Sequence, residues 1–196
     1  MLENSKIQEA VDQLRRSSHF TAGDTGSFSV PIIPGKIELP GKHSPSSYLD
    51  SLDIKHPKRV AVVFPGNGGL CVELLNRGAT EVYALEPRSQ NMRAVKEVAK
   101  IAQDATDKSY SIETSINKLM DGLDTIIWPE GLDLVGTPVE VLKTVYDTLR
   151  PGGKLYIEVV HGEHKLPERP VNAWRPLEKV FVEALTKVCP GAPLKS

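Results

Sequence analysis

Between residues 60 and 69 an unbroken apolar run, Val60-Ala61-Val62-Val63-Phe64, stops abruptly at Pro65-Gly66-Asn67-Gly68-Gly69. A run of that length without polar alternation fits a central strand of a parallel sheet, buried on both faces. Leu70, Val72, Leu74 and Leu75 follow at helical spacing and end at Arg77-Gly78, so the glycine-rich stretch is a strand-to-helix turn. Parallel strands need crossovers, which places the chain among the α/β folds.

The remaining pattern repeats that alternation. Strands are expected at Glu81–Leu85, Tyr110–Glu113, Asp124–Trp128 and Lys154–Val160. Helices are expected over 88–102, where Met92, Val95, Val98 and Ile101 recur three apart, through Val139, Leu142, Val145 and Leu149, and from Pro176 to Val188. About five strands in a mostly parallel sheet, covered on both faces by helices, give a three-layer arrangement. Upstream, Ile7, Ala10, Val11 and Leu14 mark an amphipathic helix over 5–17. From His19 to Pro57 the chain is rich in Gly, Pro and Ser. Pro31, Pro34, Pro40 and Pro45 argue for an irregular arm with one helical turn near Tyr48–Leu52. Such an arm is either a lid that packs on the domain or a disordered leader. The division is thus 1–57, helix and irregular arm or lid, and 58–196, the α/β domain.

Composition narrows the function classes. With 196 residues, 40% of them hydrophobic, the chain can bury one substantial core. Twenty-four Lys plus Arg against 25 Asp plus Glu leave a formal net charge of −1, which does not support a nucleic-acid partner. Two cysteines, Cys71 and Cys189, suit a reducing compartment, and neither a leader nor an eighteen-residue apolar stretch is visible, so a cytoplasmic protein outside the membrane is expected. His161, His164 and Glu168 are too loosely spaced to read as a metal site, and no metal is expected. The basic stretch Lys55-His56-Pro57-Lys58-Arg59 precedes the first sheet strand, at the end opposite the expected ligand.

The candidate site is the turn itself. Glycines at Gly66, Gly68 and Gly69 permit close approach of a ligand to helix-terminal N–H donors. Glu86, twenty residues after Gly66 and at the end of the next strand, is spaced to hydrogen-bond ribose hydroxyls. A packed turn with an incidental acid is the competing interpretation. Cys71 occupies the third-glycine position of the dinucleotide fingerprint, and no P-loop occurs.

From Arg59 to Val160 the chain resembles the class I S-adenosylmethionine-dependent methyltransferases. Gly66-Asn67-Gly68 matches the family's glycine loop, and Glu86 in Val82-Tyr83-Ala84-Leu85-Glu86-Pro87 matches its ribose-binding acid. Leu123-Asp124-Thr125-Ile126-Ile127 is similar to the fourth strand, and Leu149-Arg150-Pro151-Gly152-Gly153-Lys154-Leu155 to the turn into the fifth. The resemblance implies a Rossmann-like methyltransferase fold and S-adenosylmethionine as cofactor, held by Gly66, Asn67, Gly68, Gly69, Glu86, Ser115 and Trp128. Ser115 stands near the family's adenine-contacting position, and Trp128 is placed to stack on adenine or close over a substrate. It implies methyl transfer to an unidentified acceptor and names no nucleophile, since a sulfonium donor asks mainly for orientation.

The chain also departs from the pattern. Phe64 replaces an acid expected near the methionine moiety, and Leu70 replaces the last loop glycine. Trp128-Pro129-Glu130-Gly131 occupies the place of the amino-methylating motif, and little chain follows Val188 to build outer strands. The alternatives are a catalytically inactive binding or structural module, with self-association covering a sheet edge, and a dinucleotide-dependent oxidoreductase.

Overall fold

The structure is a computed structural model that describes residues 4–16, 28–86, 89–113, 121–129 and 138–158. The expected helix at Pro176–Val188 and the positions His19, Arg88, Ser115, Glu130, His161, His164 and Glu168 lie outside them, as do residues 159 and 160 of the last expected strand.

The elements run α1 (Asn4–Arg16), β1 (Val30–Ile33), β2 (Ile37–Leu39), α2 (Pro45–Ser51), β3 (Arg59–Val63), α3 (Gly69–Asn76), β4 (Glu81–Leu85), α4 (Ser89–Thr106), β5 (Ser109–Glu113), β6 (Leu123–Trp128), α5 (Pro138–Thr148) and β7 (Leu149–Ile157). Among the described residues the main sheet has the order β5-β4-β3-β6-β7, and every pairing in it is parallel.

The apolar run becomes the central strand because both of its faces are covered. Val60 and Val62 belong to a core shared with α1, β1, β2, α3 and α4. Ala61 and Val63 point the other way, into a second core with Leu142 and Val145 of α5. This is the period of two of a strand, applied to a run with no polar side. Arg59 pins the strand's start: its backbone N–H donates to Asp124 at 2.7 Å and its Nε to Glu81 at 2.9 Å.

Residues 30–39, expected to be irregular, instead form a two-stranded antiparallel hairpin, β1 with β2. Val30, Ile32, Ile37 and Leu39 alternate inward, and Gly35, at φ 69°, turns the chain. Pro31 is tolerated because, among the described residues, the hairpin has no third strand demanding its missing N–H, and a register shift follows it. Its carbonyl accepts from Asn76 Nδ2 at 2.6 Å, which fastens the hairpin to α3.

The expected helical turn is α2, begun by Ser44, whose hydroxyl caps the Ser47 N–H at 3.3 Å, with Pro45 in the first turn. Arg77 ties α2 to α3, donating to the Ile54 and Ser46 carbonyls at 2.6 and 2.8 Å while pairing with Glu73 and Asp50. The last described strand starts at Leu149 rather than Lys154. The Pro151-Gly152-Gly153 segment lies inside it as a bulge between the Leu123–Leu149 and Thr125–Lys154 pairs.

Candidate functional site

The order β5-β4-β3-β6-β7 means that the chain leaves β3 toward β4 and β5, then crosses back to β6 on the other side. In open parallel sheets of this kind ligands bind beyond the strands' carboxyl ends, at the point where the direction reverses. That point lies between β3 and β6, beside the glycine turn.

The turn is built with little freedom. Phe64, at the end of β3, has φ 53°, a left-handed conformation that an aromatic residue adopts only at a cost. Its N–H donates to the Leu85 carbonyl at 2.9 Å, and Gly68 N–H donates to Pro65 at 2.9 Å. Gly66 and Gly68 take φ 61° and 86°, which explains glycine at both. Gly69 is required for a different reason: a Cβ there would lie 2.3 Å from the Ser29 carbonyl oxygen. Asn67, 3% exposed, closes the turn from both sides. Its Nδ2 donates to the Phe28 carbonyl at 2.6 Å, and its Oδ1 accepts from the Gly69 N–H at 3.1 Å.

Phe28 and Ser29 therefore sit directly on the start of α3. They are held in turn by the Ser29 N–H, which donates to the His43 carbonyl at 2.9 Å, and by edge contacts of the Phe28 ring with His43 and Tyr48. The Tyr48 hydroxyl donates to Glu158 at 3.4 Å, just beyond β7. Burial and the adjacent carboxylate push this phenol up to about 12.

Glu86 lies one residue past β4, beside Phe64 in the register that pairs Val63 with Leu85. It is fully buried, accepts from Asn91 Nδ2 at 3.3 Å, and its backbone N–H donates to Glu113 at 2.9 Å. Trp128 ends β6. It is fully buried, its ring is 6.2 Å from that of Phe64 and tilted by 43°, and its indole N–H meets no hydrogen-bond acceptor among the described residues.

The four turn residues, Glu86 and Trp128 are thus brought to three adjacent strand ends, while Ser115 lies outside the described residues. Leu70 and Cys71, at the positions where the fingerprints have glycines, are buried in the core around α3. The Cys71 thiol is pushed up to about 12 by burial, next to the Tyr110 hydroxyl, which burial also raises. That hydroxyl forms no hydrogen bond of acceptable geometry among the described residues. Sequence reasoning missed Asn91, whose signal is its place in the first turns of α4, five residues after Glu86. It also missed Phe28 and Ser29, whose contacts span some forty residues and leave no local trace.

The basic stretch before β3 does lie at the other end of the sheet. There Lys55, Lys58, Arg150 and Lys154 line a cleft of about 220 Å³ together with Asp53 and Asp124. Asp53 pairs with Lys55 and Asp124 with Arg150, so part of that charge is answered locally. No cluster of three His, Cys, Asp or Glu able to hold a metal occurs among the described residues, nor is any described helix long and apolar enough to cross a membrane.

Comparison with solved structures agrees with this topology. A SAM-dependent methyltransferase from Aquifex aeolicus is similar with a TM-score of 0.57 and 18% identity, covering 74% of this chain and 78% of the other. The fold is the Rossmann-like class I methyltransferase fold. An arsenic(III) S-adenosylmethionine methyltransferase from Chlamydomonas reinhardtii gives a TM-score of 0.56 and 20% identity over 69% of this chain and 52% of its own. A precorrin 8w decarboxylase from Methanobacterium thermoautotrophicum gives 0.52 and 19% identity over 77% and 75%. Against other solved methyltransferases the chain spans about half their length, 46% for one from Mesorhizobium loti. No family model matches the sequence, and no curated protein matches it. At these identities the likeness is one of fold, and chemistry has to be argued from the site.

Proposed function

We propose that the crevice between β3 and β6 binds S-adenosylmethionine and that the protein is a cytoplasmic methyltransferase acting on a nucleophilic acceptor. The observation that carries this reading is the buried carboxylate of Glu86 at the end of β4, beside the glycine turn at the reversal point of the sheet. Burying a carboxylate is costly unless donors satisfy it. Asn91 Nδ2 donates to it, and a carboxylate at this strand end has the acceptor chemistry that the two hydroxyls of a ribose call for. Gly66 and Gly68 would let the backbone pass close to the nucleoside, and Trp128 would close the β6 side. When bound, the cofactor supplies a methyl group already activated on a sulfonium. The task left to these residues is to hold and orient it and to exclude water.

One observation favours a second reading, a binding module without catalysis. Asn67 and the Gly69 N–H are bonded to one another, and the Phe28–Ser29 backbone covers Gly69, so this part of the turn already has its partners within the chain.

Calorimetric titration of the whole protein with S-adenosylmethionine separates the readings. Methyltransferase function predicts micromolar binding that weakens at least tenfold in Glu86→Ala, with no binding of a nicotinamide dinucleotide. A folded protein that binds no S-adenosylmethionine supports the module, and preferential nicotinamide binding supports an oxidoreductase.

A further inference from the structure

The Phe64–Trp128 pair carries two features that packing alone does not call for. Phe64 holds a left-handed backbone conformation at the end of β3, and strain of this kind persists where the surroundings enforce it, commonly at ligand sites. Trp128, at the end of β6, buries an indole N–H that has no acceptor among the described residues, although buried tryptophans ordinarily find one. The two rings are 6.2 Å apart and stand at the ends of the two strands that flank the reversal point. Among the described residues they share an apolar cluster with Val63, Leu85 and Ile126, and the buried Glu86 lies beside Phe64.

We infer that the Phe64–Trp128 pair is a subsite for a neutral aromatic molecule bearing a hydrogen-bond-accepting oxygen or nitrogen, received by the Trp128 indole N–H. The unpaired donor asks for an acceptor atom. The two rings favour a planar partner in offset or edge geometry. The buried Glu86 carboxylate beside Phe64 disfavours an anion, and the apolar walls cost any ion its hydration. As the seat of the methyl acceptor this subsite rests on the reading proposed above, whereas the binding itself does not.

The test is a titration of uniformly 15N-labelled full-length protein with phenol, toluene and benzoate, following the tryptophan indole N–H resonances. The sequence has two tryptophans, so the signal lost in Trp128→Phe identifies Trp128; if that variant does not fold, Trp174→Phe identifies it as the signal retained. Phenol is expected to shift the Trp128 resonance saturably, at concentrations at least tenfold below those at which benzoate does, while toluene leaves the resonance without the downfield hydrogen-bonding shift. No saturable shift with phenol, or equal binding of benzoate, overturns the inference. Parallel titration with S-adenosylmethionine keeps the outcomes separate: cofactor binding without phenol binding rejects the subsite alone, and phenol binding without cofactor binding rejects the methyltransferase reading alone.

Discussion

Asn67 donates to the Phe28 carbonyl and accepts from the Gly69 N–H, so one buried amide fixes both the glycine turn and the chain that crosses it. Asn67→Ala would leave both groups without this partner, at a cost of about 1–3 kcal/mol each where they stay buried. The variant is expected to lower the denaturation midpoint measurably in chemical unfolding. Asn67→Asp should not restore the loss: its carboxylate still accepts from the Gly69 N–H, but its other oxygen has no proton to donate and faces the Phe28 carbonyl in a buried site. Cys71 offers a second check at this scale. Its thiol is buried and pushed up to about 12, so it should resist iodoacetamide at pH 8 in the native protein and react once the protein is unfolded. Mass spectrometry of the Cys71 peptide reads both states. The placement of Glu86 and the glycines at neighbouring strand ends was legible in the sequence because their spacing is local to one strand–helix–strand unit. The roles of Phe28, Ser29 and Asn91 were not, because they arise from contacts that only the folded chain creates.

Arg77 is where the elements before the sheet are joined to it. Its guanidinium, in a side chain 13% exposed, reaches the Ser46 and Ile54 carbonyls and the Glu73 and Asp50 carboxylates. Arg77→Ala should release α2 from the C-terminal end of α3 and cost about 1.5–3 kcal/mol, the range for hydrogen bonds to a charged group. Limited proteolysis is expected to cut faster between residues 44 and 57, with cutting elsewhere unchanged. Arg77→Lys should rescue little, since an ammonium lacks the fork that serves several acceptors at once. The strands of the main sheet could be read directly, as β3 has no polar side and β4 and β6 carry the same signal. The hairpin could not: four prolines in its region outweigh two short alternations, and only its docking on α3 through Pro31 and Asn76 resolves the conflict.

At the scale of the whole molecule, the N-terminal region shares its core with the sheet. Ile7, Val11, Leu14, Val30, Ile32, Ile37 and Leu39 are buried in the same cluster as Val60, Val62, Leu74 and Val98. Deleting residues 1–43 should therefore expose an apolar face of α3 and α4 and yield aggregated protein, detectable by light scattering and loss of a cooperative thermal transition. A soluble, cooperatively folding 44–196 fragment would show the arm to be dispensable. The layered α/β architecture followed from the alternation of apolar runs and amphipathic segments. Which layer the arm would join did not, because neither composition nor periodicity records long-range packing.

The proposed hold of Glu86 on a ribose at the end of β4 is open to a thermodynamic cycle. S-Adenosylmethionine and its 2′,3′-dideoxyribose analogue are titrated into wild type and Glu86→Gln. Binding of the analogue to wild type is expected to be at least tenfold weaker, with less than a twofold difference between the two ligands in the variant. Equal discrimination by both proteins would contradict it.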